Sequence, residues 1–524
     1  MMGKTVLAAL LLAITLTTTA YPADLSIGLG AGVTTLDPHG FNNSPNNSVA
    51  EQIFDSLIRR NARLVLAPGL AESWQMIDEL TWEFRLRRGV RFHDGSEFTA
   101  ADVVFSLDRP RGLAQMRPPP PGGFLAYTQA ITEKIVVDPY TIRLKTAAPY
   151  PYMPADLMHV MIVSSRAAAG RHGPDFDDSK TTQGTGPFRF LSFVDGRIEL
   201  ERNDHYWGTK SPWKKVSFLP ITKDGPRVAA LLAGDVQMID NVPTADFARL
   251  RASGNFNVFL TTSSRMVHLQ LDSSRDKSPF VTDRAGKPLD SNPLKDVRVR
   301  KAISRAIDRQ AIVSRVMDGL ARSAGQMIPE EFDVASPNLK PEPYDPGGAR
   351  KLLAEAGYAE GFHLVLIGPN DRLVNGGRVM QTIAQMLARV GITARVDAMP
   401  FVSYQRTARA MEFSAALQSW GATNESTMPL RFIAATVDGK KGLGGSNFGR
   451  YSNPKADVLL EQAFATIDNS ARIRLLQRAT ELVIDDYGII PVHFQVNTWA
   501  ARKPLVYEPR ADERTYAHEV RPGK

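Results

Sequence analysis

Residues 362–396 carry the pattern that most restricts how this chain can fold. An apolar extended run at 362–367 is followed by a helical pattern at 378–390 and a second extended run at 392–396. Strand, helix and strand in that order make a crossover unit, which lays its two strands parallel in one sheet. Parallel sheets need cover on both faces, so an α/β fold is expected. Further helices fit that expectation. Asp345 caps one with Pro346 just inside and Gly357 at its stop, and two more cover 456–465 and 471–484. A long amphipathic helix is expected over 295–318 and stops at Gly319. It has Val299, Ala302, Ile303, Ala306 and Ile307 on one face, and Arg298, Lys301, Arg305 and Arg309 on a solvated one.

The N-terminal half reads differently, as short strands and turns. A strand is expected at 25–29, a turn at 34–39 and a helix over 48–59. Residues 81–86 alternate as a strand does. The turn His93-Asp94-Gly95-Ser96 follows, and Thr99 then caps a helix with Asp102 three places on. A helix at 227–232 closes on Gly234. The polar run Thr261-Thr262-Ser263-Ser264 is a candidate junction between lobes, and 488–492 a short buried strand. A chain of 524 residues exceeds what one core usually organises, so two or more lobes are expected.

The first residues look like an export signal. Lys4 is followed by an uncharged apolar run at 6–16, then by small residues suited to a cut after Ala20 or Ala23. That run falls well short of the ~20 residues needed to span a bilayer. No cysteine occurs anywhere, which excludes disulfides, thiolate metal sites, cysteine nucleophiles and a lipoprotein anchor. A freely diffusing periplasmic protein with a cleaved signal, and no direct membrane anchor, is the expected product. The formal charge of +8 is modest for this length. It suits solubility, with steering of anionic ligands as the sharper reading. No basic run is interleaved with stacking aromatics, so nucleic acid is not an expected partner.

Catalytic signatures are missing. The nine histidines are scattered, with no H-E-x-x-H pair. Gly445-Ser446-Asn447-Phe448-Gly449 only looks like a nucleophile elbow and reads as a glycine-rich loop. Gly184-Thr185-Gly186 runs into Pro187, and Gly28-x-Gly30 lacks a third glycine, so neither is a phosphate or dinucleotide loop. No enzyme, cofactor or metal is expected.

Several segments, in order, resemble one family. They are Leu36-Asp37-Pro38-His39, Leu70-Ala71-Glu72-Ser73-Trp74, the string over 81–107, Gly184-Thr185-Gly186-Pro187-Phe188 and Arg202-Asn203-Asp204-His205-Tyr206-Trp207-Gly208. Asp296-Val297-Arg298-Val299-Arg300-Lys301-Ala302-Ile303, Tyr451-Ser452-Asn453-Pro454 and the stretch 489–499 complete the set. Together they resemble the bacterial extracellular solute-binding proteins of family 5, the periplasmic receptors of peptide and nickel ABC importers. The resemblance implies a two-lobed α/β periplasmic-binding-protein fold of type II, the large peptide-binder form, with an extra subdomain in the first lobe. The expected division is a signal at 1–23, first-lobe parts at 24–55 and 181–262, the extra subdomain at 56–180, the second lobe at 263–485, and a return to the first lobe at 486–524.

The same resemblance implies capture of a short peptide or peptide-like solute by a monomer, and delivery to the transmembrane subunits of an ABC permease. A non-peptide solute (an opine, a sugar conjugate or a metal chelate) is the alternative. A secreted hydrolase and a periplasmic chaperone are more distant ones. In the family's peptide binders, a cleft-lining Trp is followed three residues later by an Asp that receives the ligand's amino group. Trp420 matches, but Thr423 stands in the Asp position. Either Glu425 takes that role or the ligand presents no free amino terminus there. Candidate ligand contacts are Trp420, Gly421, Ala422, Thr423, Asn424 and Glu425, with His493, Phe494 and Gln495 from the C-terminal crossover. His268 and Gln270 are added from one face of a strand, and Asn43 from the first lobe.

Overall fold

The computed structural model describes residues 24–120, 123–421 and 427–523. Its framework is a twelve-stranded sheet that runs from one lobe into the other. Two long strands make that passage. Phe256–Leu271 and Ile490–Arg502 lie antiparallel from Phe256 opposite Arg502 to Leu269 opposite Ile490. At ~3.3 Å per residue the first of them spans roughly 50 Å, enough to reach into both lobes. Trp499 and Ala501 belong to the first lobe's core, whereas Ile490, Val492, Leu269 and Leu271 belong to the second lobe's. The polar run at 261–264, read from sequence as a candidate junction between lobes, is the middle of this crossing strand. Likewise, 488–492 is only the start of a strand of 13 residues.

The register skips between Thr262 and Met266. There the backbone turns to another partner, with Ser264 N–H donating to the Ala511 carbonyl at 3.0 Å. A bulge of this kind re-aims a side chain, here Arg265.

In the second lobe the expected crossover unit is present. Phe362–Pro369 and Ile392–Met399 are parallel, in register from Phe362 opposite Ile392 to Pro369 opposite Met399, with helix Gly376–Ala388 between them. Asp345 caps helix Pro346–Glu355 by accepting from Gly348 N–H at 2.7 Å. The long helix expected over 295–318 is broken. Helix Val297–Ala306 ends at an extended Ile307, and Asp308 caps a new turn through Ala311 N–H at 2.8 Å. The reason is Arg309, which is buried rather than solvated. Its guanidinium donates to the Pro491 and Ser304 carbonyls at 2.8 and 3.1 Å and to Ser304 Oγ at 2.9 Å. An unbroken helix would carry that group into solvent with Arg305.

The first lobe starts with Asp24–Leu29, parallel to Lys215–Pro220 and Met238–Asp240. The helix expected over 48–59 instead spans Ser44–Ile53, because Asn43 caps it early and the chain turns extended at Phe54. A separate antiparallel sheet forms the subdomain, in the order Ala71–Asp78, Thr81–Leu86, Thr141–Thr146, Ile131–Asp138. Helix Ala100–Ala114 packs on it through Val103 and Leu107. Asp102 accepts Thr99 N–H at 3.0 Å, as expected of the capping pair, and its other oxygen accepts Ser165 N–H at 3.0 Å.

The subdomain and second lobe meet directly. Arg431 donates to Asp156 at 3.3 Å and to the Ala126 carbonyl at 2.8 Å, and Met428 is buried in the subdomain's apolar cluster. Burial raises the Asp156 carboxyl above its ordinary value, and the Arg431 charge opposes that rise.

Gly184-Thr185-Gly186 is a backbone docking point. Gly186 N–H donates to the Ile53 carbonyl at 2.8 Å, and a Cβ at Gly184 would lie 1.9 Å from that same oxygen. Gly184→Ala is expected to cost about 3 kcal/mol, since rigid backbone must move. Urea unfolding would show this as a lower midpoint with an unchanged slope.

Candidate functional site

Between the lobes lies a cavity of about 890 Å³. One wall is the start of helix Ser44–Ile53. Asn43 caps it by accepting Asn46 N–H at 2.9 Å, and its neighbour Asn42 donates to Tyr127 OH at 3.0 Å. The Tyr127 ring stacks on His159 with centroids 4.6 Å apart and planes 17° apart. Burial, with the cations Arg60 and Arg514 nearby, pushes His159 well below its ordinary pKa. Its ring is therefore neutral at pH 7, and the buried Nε2 has no hydrogen-bond partner among the described residues.

The opposite wall is the end of strand Ala415–Gly421. Trp420 is half-buried there and rests on Phe432, with ring centroids 5.4 Å apart. Among the described residues, the buried indole N–H of Trp420 and the buried Oε1 of Gln418 have no hydrogen-bond partner.

The floor is an ion-pair junction. Arg265, aimed by the bulge, grips both oxygens of Glu513, the second at 2.9 Å. It also donates to Ser419 Oγ at 3.1 Å and Ser44 Oγ at 3.4 Å. One guanidinium so ties the crossover strand to both lobes and to the C-terminal segment. Glu513 has φ of +65°, a conformation unusual outside glycine, and the Arg265 grip holds it there. Beside it, Asp512 accepts from Arg60 at 2.6 Å and from Arg510 at 3.0 Å.

Of the residues expected from sequence to meet ligand, Trp420, Gly421 and Asn43 line this cavity. Ala422, Thr423, Asn424 and Glu425 lie outside the described residues. The other five are placed in the sheet and do not line it. His493 and His268 are fully buried, and loss of solvation brings each down to about 4, so both are neutral. Phe494 belongs to the apolar cluster on which Trp420 rests. Gln495 is buried opposite Ala321. Gln270 stands behind the wall, donating to the Ile433 and Ser446 carbonyls at 3.2 and 3.1 Å and accepting Phe448 N–H at 3.0 Å. Alternation gave the face of that strand correctly, but the glycine-rich loop over 445–449 covers it. Sequence reasoning missed Arg265, Glu513, Arg372, Tyr127 and His159. They come from distant segments, and no periodicity or motif marks them.

A family model described as bacterial extracellular solute-binding proteins, family 5, middle, matches residues 65–440. The chain belongs to that family. It is similar to heme-binding protein A of Haemophilus influenzae, 28% identical over 86% of this chain and 83% of the relative. Glutathione-binding protein GsiB of Salmonella choleraesuis is 29% identical over 90% of each chain. Among solved structures, the Helicobacter pylori periplasmic binding protein DppA in complex with the peptide STSA superposes with a TM-score of 0.81. It is 22% identical, with 96% of this chain and 98% of that one covered. A family 5 protein is the solute-binding component of an ABC importer, and the two-lobed fold is the one these relatives share. Among the described residues no group of three His, Asp or Glu side chains is placed to hold a metal, and no helix is long and apolar enough to cross a membrane.

Glu513→Gln keeps the shape at the junction and removes the charge that Arg265 faces. A loss of about 1–3 kcal/mol is expected at pH 7. Burial would raise the Glu513 carboxyl, but the Arg265 charge and hydrogen bonds outweigh it and hold the pKa below the ordinary value. Its contribution is therefore fully present above the ordinary glutamate range and lost as pH falls through the lowered value. Urea unfolding at pH 7 and at about pH 3 should show the gap between wild type and variant narrowing in acid.

Proposed function

We propose that this protein is the periplasmic receptor of an ABC importer, a monomer that closes two lobes on a short peptide or peptide-like solute and hands it to the membrane permease. The observation that carries this reading is the interlobe cavity of about 890 Å³, lined from both lobes and by the aromatic face of Trp420. Relatives named for glutathione, and one solved with a tetrapeptide, point the same way. Capture requires differential affinity for the closed state, not a reactive group. The paired crossover strands supply the connection about which the lobes move, and Arg431 with Asp156 supplies a contact made between lobes.

Native mass spectrometry of protein taken from periplasm, then denaturation and identification of what is released, tests the reading directly. One small molecule per chain is the expected result. Trp420→Ala should weaken binding of that molecule at least about tenfold, equivalent to ~1.4 kcal/mol. Titration calorimetry on the variant checks this, with far-ultraviolet dichroism to confirm the fold. Unchanged affinity would make Trp420 part of the core and remove it from the site.

A further inference from the structure

Resting on the receptor reading, we propose that a second groove, in the second lobe, docks an acidic segment on the periplasmic face of the permease. The groove lies between helix Gly376–Ala388 and the turns over 308–316 and encloses about 570 Å³. It shares no lining residue with the interlobe cavity.

Its charges set it apart. Arg315 and Arg378 stand together at one end, where the Arg378 guanidinium donates to the Arg315 carbonyl at 3.4 Å. Arg389 stands at the other end, and Arg350 reaches it to donate to its carbonyl at 3.1 Å. At ~1.5 Å per residue, Arg378 and Arg389 are roughly 16 Å apart along the helix axis. All four arginines are exposed, and none has a carboxylate within 4.0 Å among the described residues. Arg298, Arg305 and Arg322 of the same lobe do have partners, in Asp296, Glu342 and Glu331. The one carboxylate among the described residues lining the groove, Asp308, is engaged as a cap by Ala311 N–H. Between the charged ends the groove is floored by the apolar side chains of Val316 and Met386. Unmatched guanidiniums of one sign raise a positive potential that an acidic partner neutralises. An extended segment covers ~16 Å in about five residues, so two acids flanking an apolar side chain fit the groove end to end.

The position of the groove names the partner. Asn375, which opens the helix, donates to the Val316 carbonyl at 2.9 Å and to Thr244 Oγ1 at 3.1 Å. Thr244 belongs to the first-lobe helix Thr244–Ala252 and donates to Asp318 of the second lobe at 2.6 Å. The groove therefore borders a seam between the lobes. The receptor reading requires one macromolecular partner, the permease, and that partner has to engage the protein where the lobes meet to receive solute from between them.

The test uses permease from the same cells, reconstituted with its ATPase subunits in phosphatidylcholine nanodiscs, and receptor taken from periplasm. ATP hydrolysis is followed as receptor is added. The triple change Arg315→Glu, Arg378→Glu and Arg389→Glu should raise the receptor concentration for half-maximal stimulation at least about tenfold. The molecule released on denaturation and the dichroism spectrum should both match wild type. Lysine at the same three positions should stay within about threefold of wild type, because the charge is kept. The gap between wild type and the glutamate variant should narrow as salt rises. Equal stimulation by wild type and the glutamate variant would overturn the docking assignment and leave the receptor reading standing. If the glutamate changes leave stimulation alone but abolish sedimentation with phosphatidylglycerol vesicles lacking permease, the groove belongs to lipid and the assignment falls. If instead they turn a dimer into a monomer by light scattering, it belongs to a second copy and the assignment falls likewise. No stimulation by wild type together with no released molecule would overturn the receptor reading, and the docking assignment with it.

Discussion

The antiparallel pairing of Phe256–Leu271 with Ile490–Arg502 is the interaction on which the rest depends. These two strands contribute side chains to the cores of both lobes, so neither lobe is complete without them. Main-chain hydrogen bonds resist stretching and shear, yet a two-strand ribbon twists and bends readily. That combination holds the lobes together in one sheet. The register skip after Thr262 adds a second consequence. It frees the backbone at Ser264 to bond Ala511, brings the C-terminal segment to the cavity floor and turns Arg265 toward Glu513.

The segments that carry the family resemblance build scaffold. Asp55 accepts Thr185 Oγ1–H at 2.9 Å and the Trp207 indole N–H at 2.8 Å, so two of those segments converge on one carboxylate. Asp37 accepts both arms of Arg109 at 2.6 and 2.8 Å, and His39 lies beside them. None of these groups lines the cavity. This explains why the resemblance specified a fold and a receptor role but left the solute open. Ligand identity is written in side chains that project from the scaffold, and those are free to differ between members that share it.

The contact between subdomain and second lobe carries a different physical meaning. A buried ion pair such as Asp156 with Arg431 gains little net stability, because desolvation of both charges offsets their attraction. Its value is geometric. It fixes where the subdomain meets the second lobe, through Arg431 to Asp156 and to the Ala126 carbonyl.

Local chemistry was legible in the sequence wherever a feature needs only its neighbours. The crossover unit at 362–396, the Asp345 cap and the Thr99–Asp102 pair each depend on residues a few places apart, and each is present. Arg309 shows the limit, since helical periodicity placed it in solvent, whereas its guanidinium is buried against Ser304 and the Pro491 carbonyl, the latter from a strand far along the chain. The site shows the same limit more sharply. Trp420 and Asn43 could be named from sequence. That Gln270 is covered by a glycine-rich loop, that His493 is enclosed in the sheet, and that Arg265 meets Glu513 was decided by tertiary structure. A strand's alternation states which residues share a face, and only the packed fold states whether that face meets solute or protein.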